Sequence, residues 1–302
     1  MSYRPCSGIF DGNGKTVSGV NINSSENHVG FFGGTMNGAV IEDLTVEGTI
    51  KGGNYTGGIV GWNRDTLTIS NCTSKVTVTG GADVGGIVGY AETVSANHAV
   101  LLDSCVNEGA LSGSHRVGGM IGRLWQNASS GTAKIADCVN KATVTTSGGQ
   151  AAGMLAWWAV SNGTEQSVTI SDCTNTGAAT GGNGAGGCIL GFGEIKTTAA
   201  LTIKNCDNLA DDVNDKIQDV SYAAGIAGRF DMDAPLSLTV EDCTNTMSVS
   251  GATIAGIVSR IWFKTATAAN SVLKVDNCVN TLSEGSRALW PAVRYIMKEN
   301  AV

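Results

Sequence analysis

The stretch "VTISDCTNT" at 168–176 returns as "LTVEDCTNT" at 238–246, and its cysteine is the fixed point of a longer rhythm. Cysteines fall at 72, 105, 138, 173, 206, 243 and 278, with spacings of 33, 33, 35, 33, 37 and 35. Self-similarity at such a period is the mark of stacked structural repeats. Three residues before the cysteine stand Ile69, Leu102, Ile135, Ile170, Ile203, Val240 and Val275, and five before it Leu67, Val100, Ala133, Val168, Leu201, Leu238 and Leu273. The position between them is Thr or Lys in six of the seven repeats. An apolar residue at every second place with a polar one between describes a strand with one buried face, not a helix.

A weaker strand follows the cysteine, as in "KVTVTG" at 75–80 and "KATVTT" at 141–146. A glycine motif keeps the same beat: "GGIVGW" at 57–62, "GGIVGY" at 85–90, "GGMIGR" at 118–123, "AGMLAW" at 152–157, "GCILGF" at 187–192, "AGIAGR" at 224–229 and "AGIVSR" at 255–260. Each repeat is thus expected to carry three short strands, with the glycine motif as one of them. A partial eighth repeat opens the chain at 29–50. Three short strands cannot bury an apolar face alone, but stacked units can, which predicts an all-β solenoid. The arc from the glycine motif to the next cysteine varies from 14 to 22 residues. Extra residues therefore gather in one corner, and a column of loops of this kind is often the binding face of a repeat protein.

Composition narrows the function. Gly is 42 of 302 residues and Pro only 3, while 42% of residues are apolar, which excludes both collagen and disorder. The 19 basic and 26 acidic residues give a net charge of −7 with no basic stripe, so a nucleic-acid partner is not expected. The N-terminus "MSYRPCSGIFDGNGKT" lacks the apolar run of a signal peptide, and no stretch is long enough to span a bilayer. The chain is expected to be soluble and not inserted in a membrane, as a monomer or as part of a larger exported chain. "GNGKT" lacks the spacing of a phosphate-binding loop and reads as a turn at the start of the solenoid.

The leader "FDGNGKTVSGVNI" at 10–22 and "VGFFGGTMNGAVIEDLTVEGTIKGGNYTGGIVGWN" at 29–63 resemble the GLUG-motif repeats of bacterial surface and adhesin-like proteins, including those attached to IgA-specific proteases. The resemblance implies a right-handed parallel β-helix, here of about eight coils, and an extracellular or cell-surface setting. It implies no catalytic residue. The solenoid is expected over 1–285, and 286–302, "SRALWPAVRYIMKENAV", reads as a non-repeat C-terminal cap with room for a short helix.

Six of the nine cysteines come as C-x-N and none as C-x-x-C, so a buried ladder of free thiols fits better than a metal site. Asn107, Asn140, Asn175, Asn208, Asn245 and Asn280 read as a companion ladder that satisfies corner backbone. Rings cluster beside the glycine motif: Trp62, Tyr90, Trp125, Trp157, Trp158, Phe192, Phe230, Trp262 and Phe263. They either pack over that strand or form a stripe that stacks on sugars of a polysaccharide or glycoprotein. Arg123, Glu194, Arg229, Asp231, Asp233 and Arg260, with Glu92, are the only catalytic material nearby. Paired carboxylates there could hydrolyse a glycoside, and an arginine with calcium could run uronate elimination. The segment "DNLADDVNDKIQD" at 207–219 could hold calcium, though it fails the EF-hand pattern; no other cofactor is implied. A glycan-binding or adhesion module leads, a β-helix hydrolase or lyase using the same face is the alternative, and a passive stalk is the third reading.

Overall fold

The computed structural model describes residues 5–182, 184–209, 216–281 and 293–297. They form a parallel β-solenoid of about eight turns with one short 3-10 helix, Thr267–Asn270. No helix among them is long and apolar enough to cross a membrane. Nine strands stack in chain order into one sheet: Phe32–Met36, Val60–Arg64, Val88–Thr93, Ile121–Gln126, Leu155–Val160, Leu190–Ile195, Ala227–Met232, Val258–Phe263 and Val293–Met297. The other strands form ladders that wrap the remaining sides of each coil. Val293–Met297 pairs with Val258–Phe263, so the described part of the C-terminal segment is a further rung rather than a helix. The remainder of that cap lies outside the described residues.

The cysteine strands pair in the register that the repeat demands, with Ile135 beside Ile170 and Ile170 beside Ile203. Their two apolar columns face inward and are almost wholly buried from Ile69 and Leu67 to Val240 and Leu238. Just before each cysteine the chain turns through a left-handed residue: Asn71, Ser104, Asp137, Asp172, Asn205, Asp242 and Asn277 have φ between 47° and 57°. Asn and Asp tolerate that conformation best, so the corner is written in the residue preceding the cysteine. The thiols then enter the core. All nine cysteines are free, and seven are buried. Cys138 donates to the Ala136 carbonyl at 3.1 Å and Cys173 to the Ser171 carbonyl at 3.1 Å.

Two residues on, each asparagine amide hydrogen-bonds its neighbour in the next coil. Nδ2 of Asn107 donates to Oδ1 of Asn140 at 2.8 Å, Asn140 to Asn175 at 2.8 Å and Asn175 to Asn208 at 3.0 Å. Asn208 continues to Asn245, and Asn245 to Asn280 at 2.7 Å. The second N–H closes the local corner, on the carbonyls of Ala142, Gly177 and Met247. Buried amides held this way avoid the cost of orphaned polar groups.

The glycine motif is not one strand, contrary to the expectation. Val84–Gly85 belongs to one ladder, Gly86 and Ile87 turn the corner, and Val88–Thr93 enters the nine-stranded sheet. Both central apolar residues are buried because one lies in the bend and the next opens a new strand, not because a loop folds over them. The second glycine is forced by the asparagine column. A Cβ on Gly86 would lie 2.4 Å from Cγ of Asn107, and one on Gly153 would lie 2.3 Å from Cγ of Asn175. The "GNGKT" turn is realised as a bulge, with Asn13 and Gly14 left-handed and the pairing register shifting between Asp11 and Lys15.

Candidate functional site

The nine-stranded sheet presents one side to the core and the other outward. Neighbouring residues of a strand point to opposite sides, so its register sorts the rings. One outward column runs Trp62, Tyr90, Arg123, Trp157, Phe192, Arg229, Arg260, and the next runs Arg64, Glu92, Trp125, Ala159, Glu194, Asp231, Trp262. Between them the inward column carries Asn63, Ala91, Leu124, Trp158, Gly193, Phe230 and Ile261.

This corrects two of the rings read as ligand contacts. Trp158 and Phe230 are fully buried, and the strand's period places each opposite to its neighbour, Trp157 or Arg229. Gly193 sits between them, and the Phe230 ring fills the space that a Cβ there would take, at 2.4 Å. The indole N–H of Trp158 donates to Oε1 of Gln126 at 2.8 Å, and the Gln126 amide donates in turn to the Gly131 carbonyl at 3.0 Å. Phe263, one residue past Trp262, packs partly buried against the core. Trp62, Trp125, Trp157 and Trp262 are half-buried on the outward face, while Tyr90 and Phe192 are nearly covered there.

Cations brace these rings. The Arg123 guanidinium lies 5.2 Å from the Tyr90 ring centre and 5.4 Å from that of Trp125. Arg116 stands 5.1 Å from Trp157, and Arg260 4.9 Å from Trp262 and 4.8 Å from Tyr222. Trp157 meets Phe192 edge to face at 4.6 Å. Such contacts fix the planes of rings and guanidinium groups more than they add stability. Tyr55 and Tyr222 border the face from the adjoining corner: Tyr55 stacks on Tyr90 at 4.9 Å. Sequence reasoning passed over Tyr55, Arg116 and Tyr222, although each immediately precedes the two residues that lead into the bend. Alignment on the glycine pair would have found them.

The catalytic candidates divide. Arg229 binds Asp231 with two hydrogen bonds of 2.6 Å, and Lys264 approaches the same carboxylate at 3.4 Å. Glu194, beside Asp231 in the register, pairs with Lys196 at 3.1 Å. Arg260 donates to the Tyr222 hydroxyl. Asp233 lies just past the strand end, where its N–H bonds the Ile195 carbonyl at 2.8 Å. Arg123 stands apart, separated from Arg229 along its column by Trp157 and Phe192. Glu194 and Asp231 are thus adjacent but each neutralised by a cation, and Arg123 is not part of their group.

Glu92 is the perturbed carboxyl of the face. Burial raises its pKa; the Tyr90 hydroxyl, which donates to it at 3.1 Å, and Arg64 at 3.9 Å offset part of that rise. Among the described residues no cluster of three metal-ligating side chains forms. Three of the five aspartates in the acidic segment at 207–219, Asp211, Asp212 and Asp215, lie outside the described residues. The variable loops leave the nine-stranded sheet at 94–97, 127–129, 161–164, 196–198, 233–235 and 264–271, in one corner beside this face.

Residues 52–79 match the GLUG motif family. That segment spans the bend at 58–59 and the first cysteine of the ladder, Cys72, so the motif is one coil of the solenoid described above. A crystal structure named "putative immunoglobulin A1 protease" from Bacteroides ovatus is similar at 19% identity and a TM-score of 0.44, covering 88% of this chain and 78% of that one. No curated protein matches the chain.

Proposed function

We propose that the chain is an extracellular binding module of a bacterial surface protein that contacts glycans through the outward face of its nine-stranded sheet. The observation that carries this reading is the placement of Trp62, Trp125, Trp157 and Trp262, half-buried, in two adjacent columns of one sheet. Rings on a regular ladder offer stacking surfaces at the rung spacing of about 4.8 Å, and Arg123, Arg116 and Arg260 hold them in place. The GLUG match supports the extracellular setting. The hydrolase or lyase reading is weaker, because Glu194 and Asp231 are each occupied by an ion pair. A general acid or a nucleophile needs a carboxyl free for the substrate.

The test is a screen of immobilised polysaccharides and glycoproteins with the wild type and a Trp125→Ala/Trp157→Ala double variant, alongside chromogenic glycosides. Binding by the wild type that the double variant loses supports the reading. Equal binding by both proteins moves the site elsewhere, and turnover of any glycoside replaces binding with catalysis.

A further inference from the structure

Three arginines share the outward column, and they differ in what holds them. Arg229 is held by Asp231, and Arg260 by the Tyr222 hydroxyl. Arg123 has neither an acidic nor a hydroxyl partner among the described residues; its contacts are the faces of Tyr90 and Trp125. The acids nearby are engaged elsewhere. Asp83 takes two hydrogen bonds from Arg116, and Glu92 accepts from Tyr90 with Arg64 at 3.9 Å. Of the three Arg123 nitrogens only Nε is buried without a partner, so the two terminal nitrogens keep access to solvent. One rung away the indole Nε1 of Trp157 is likewise buried with no acceptor.

Building on the glycan-binding reading above, we propose that Arg123 is a receptor for a sugar carboxylate, the acid group of a uronate or a sialic acid, with Trp125 and Trp157 flanking the sugar ring. A guanidinium is always charged, and its planar fork matches a carboxylate through two parallel hydrogen bonds. Stacking on two rings fixes its plane, so little conformational freedom is lost when the ligand arrives. An arginine already paired within the protein, as Arg229 is, would first have to give up its partner. The chain's net charge of −7 gives no general attraction for anions, so recognition of an acidic sugar falls to this local, uncompensated cation.

The experiment measures binding of an α-1,4-galacturonate hexamer and its carboxyl-reduced neutral counterpart, and of sialyllactose and lactose, to the wild type, Arg123→Ala, Arg123→Lys and Arg229→Ala. The acidic member of at least one pair is expected to bind about tenfold or more tightly, from the strength of charge-assisted hydrogen bonds. Arg123→Ala should erase that preference, bringing the acidic and the neutral member of the pair to the same affinity. Arg123→Lys should restore only part of it, and the pair that shows the preference identifies the source of the carboxylate. Thermal unfolding of each variant shows that the fold is kept. Binding of neutral and acidic glycans alike, with no effect of Arg123→Ala, overturns the carboxylate receptor and leaves the glycan-binding face standing. Loss of the preference in Arg229→Ala but not in Arg123→Ala also overturns it, as does binding of none of the four probes by the wild type, while the glycan-binding face itself stands or falls on the wider screen above.

Discussion

Gly119 lies flat against the side chain of Asn140: a Cβ on the glycine would come within 2.5 Å of the asparagine Cγ and 1.9 Å of the Gly153 carbonyl oxygen. Two features that look independent in the sequence, the second glycine of each pair and the asparagine after each cysteine, are therefore one packing contact. Gly119→Ala should destabilise the solenoid by about 3 kcal/mol, at the upper end for an over-packed site because backbone must move. Urea unfolding followed by circular dichroism reads this directly. An unchanged midpoint would mean that the coils can spread at no cost.

At the other end of the column the amide chain stops one coil early. Ser74 occupies the asparagine place in its coil, paired with Asn107, and both Ser74 Oγ and Asn107 Oδ1 are buried without partners. Ser74→Asn supplies the missing donor to Asn107, in space that Gly58 leaves open as Gly86 does for Asn107. The expected gain is about 1 kcal/mol, the net value of a hydrogen bond that satisfies a buried group. A lower unfolding midpoint would show that the first coil is too narrow for the amide.

The thiol column should be silent in the native protein. Only Cys6 and Cys278 of the nine are partly accessible, so native labelling should reach at most those two and denatured labelling all nine. Burial holds the Cys72 thiol up at about 12, against an ordinary value of 9.0, and raises Cys188 well above it. A thiol that keeps its proton in the fold and loses it when unfolded favours unfolding as pH climbs. Stability should accordingly fall between pH 9 and about pH 12, and Cys188→Ala should fall less steeply over that interval.

Glu92 makes the corresponding prediction in acid. Its raised pKa means that the folded protein keeps a proton which the unfolded chain has released, so its contribution to stability is lost as pH rises past 4.5. Glu92→Gln keeps an acceptor for the Tyr90 hydroxyl and removes the ionisation. The variant should unfold at a higher midpoint than the wild type at pH 7 and at the same midpoint at pH 4. A lower midpoint at pH 7 would mean that the pairing with Arg64 outweighs the burial.

The coil itself was legible because the period of the cysteines and the alternation before them need only a one-dimensional count. The bend inside "GGIVG" was not: two consecutive buried apolar residues look the same whether a strand is covered on both sides or a corner lies between them. The rings of "LAWWAV" carried more information than was drawn from them. Two adjacent tryptophans in a strand cannot share a face, so one of Trp157 and Trp158 had to be core, and only the register with Arg123 and Leu124 decides which. The pairing of Arg229 with Asp231 follows from the same parity, since residues two apart stand side by side. What no count could reach is the solitude of Arg123, because it depends on which cation each acid has already taken.

The asparagine column also has a direction. In each of its five bonds Nδ2 points to the coil that follows, and the second N–H of Asn140, Asn175 and Asn245 is committed to a corner carbonyl. Turning over one amide would set N–H against N–H on one side and oxygen against oxygen on the other. The six amides are therefore locked into a single orientation and polarise one another as one dipole along the axis. An apolar residue at Asn175 would cut that dipole in two, and the damage would be felt in coils that the substituted side chain never touches.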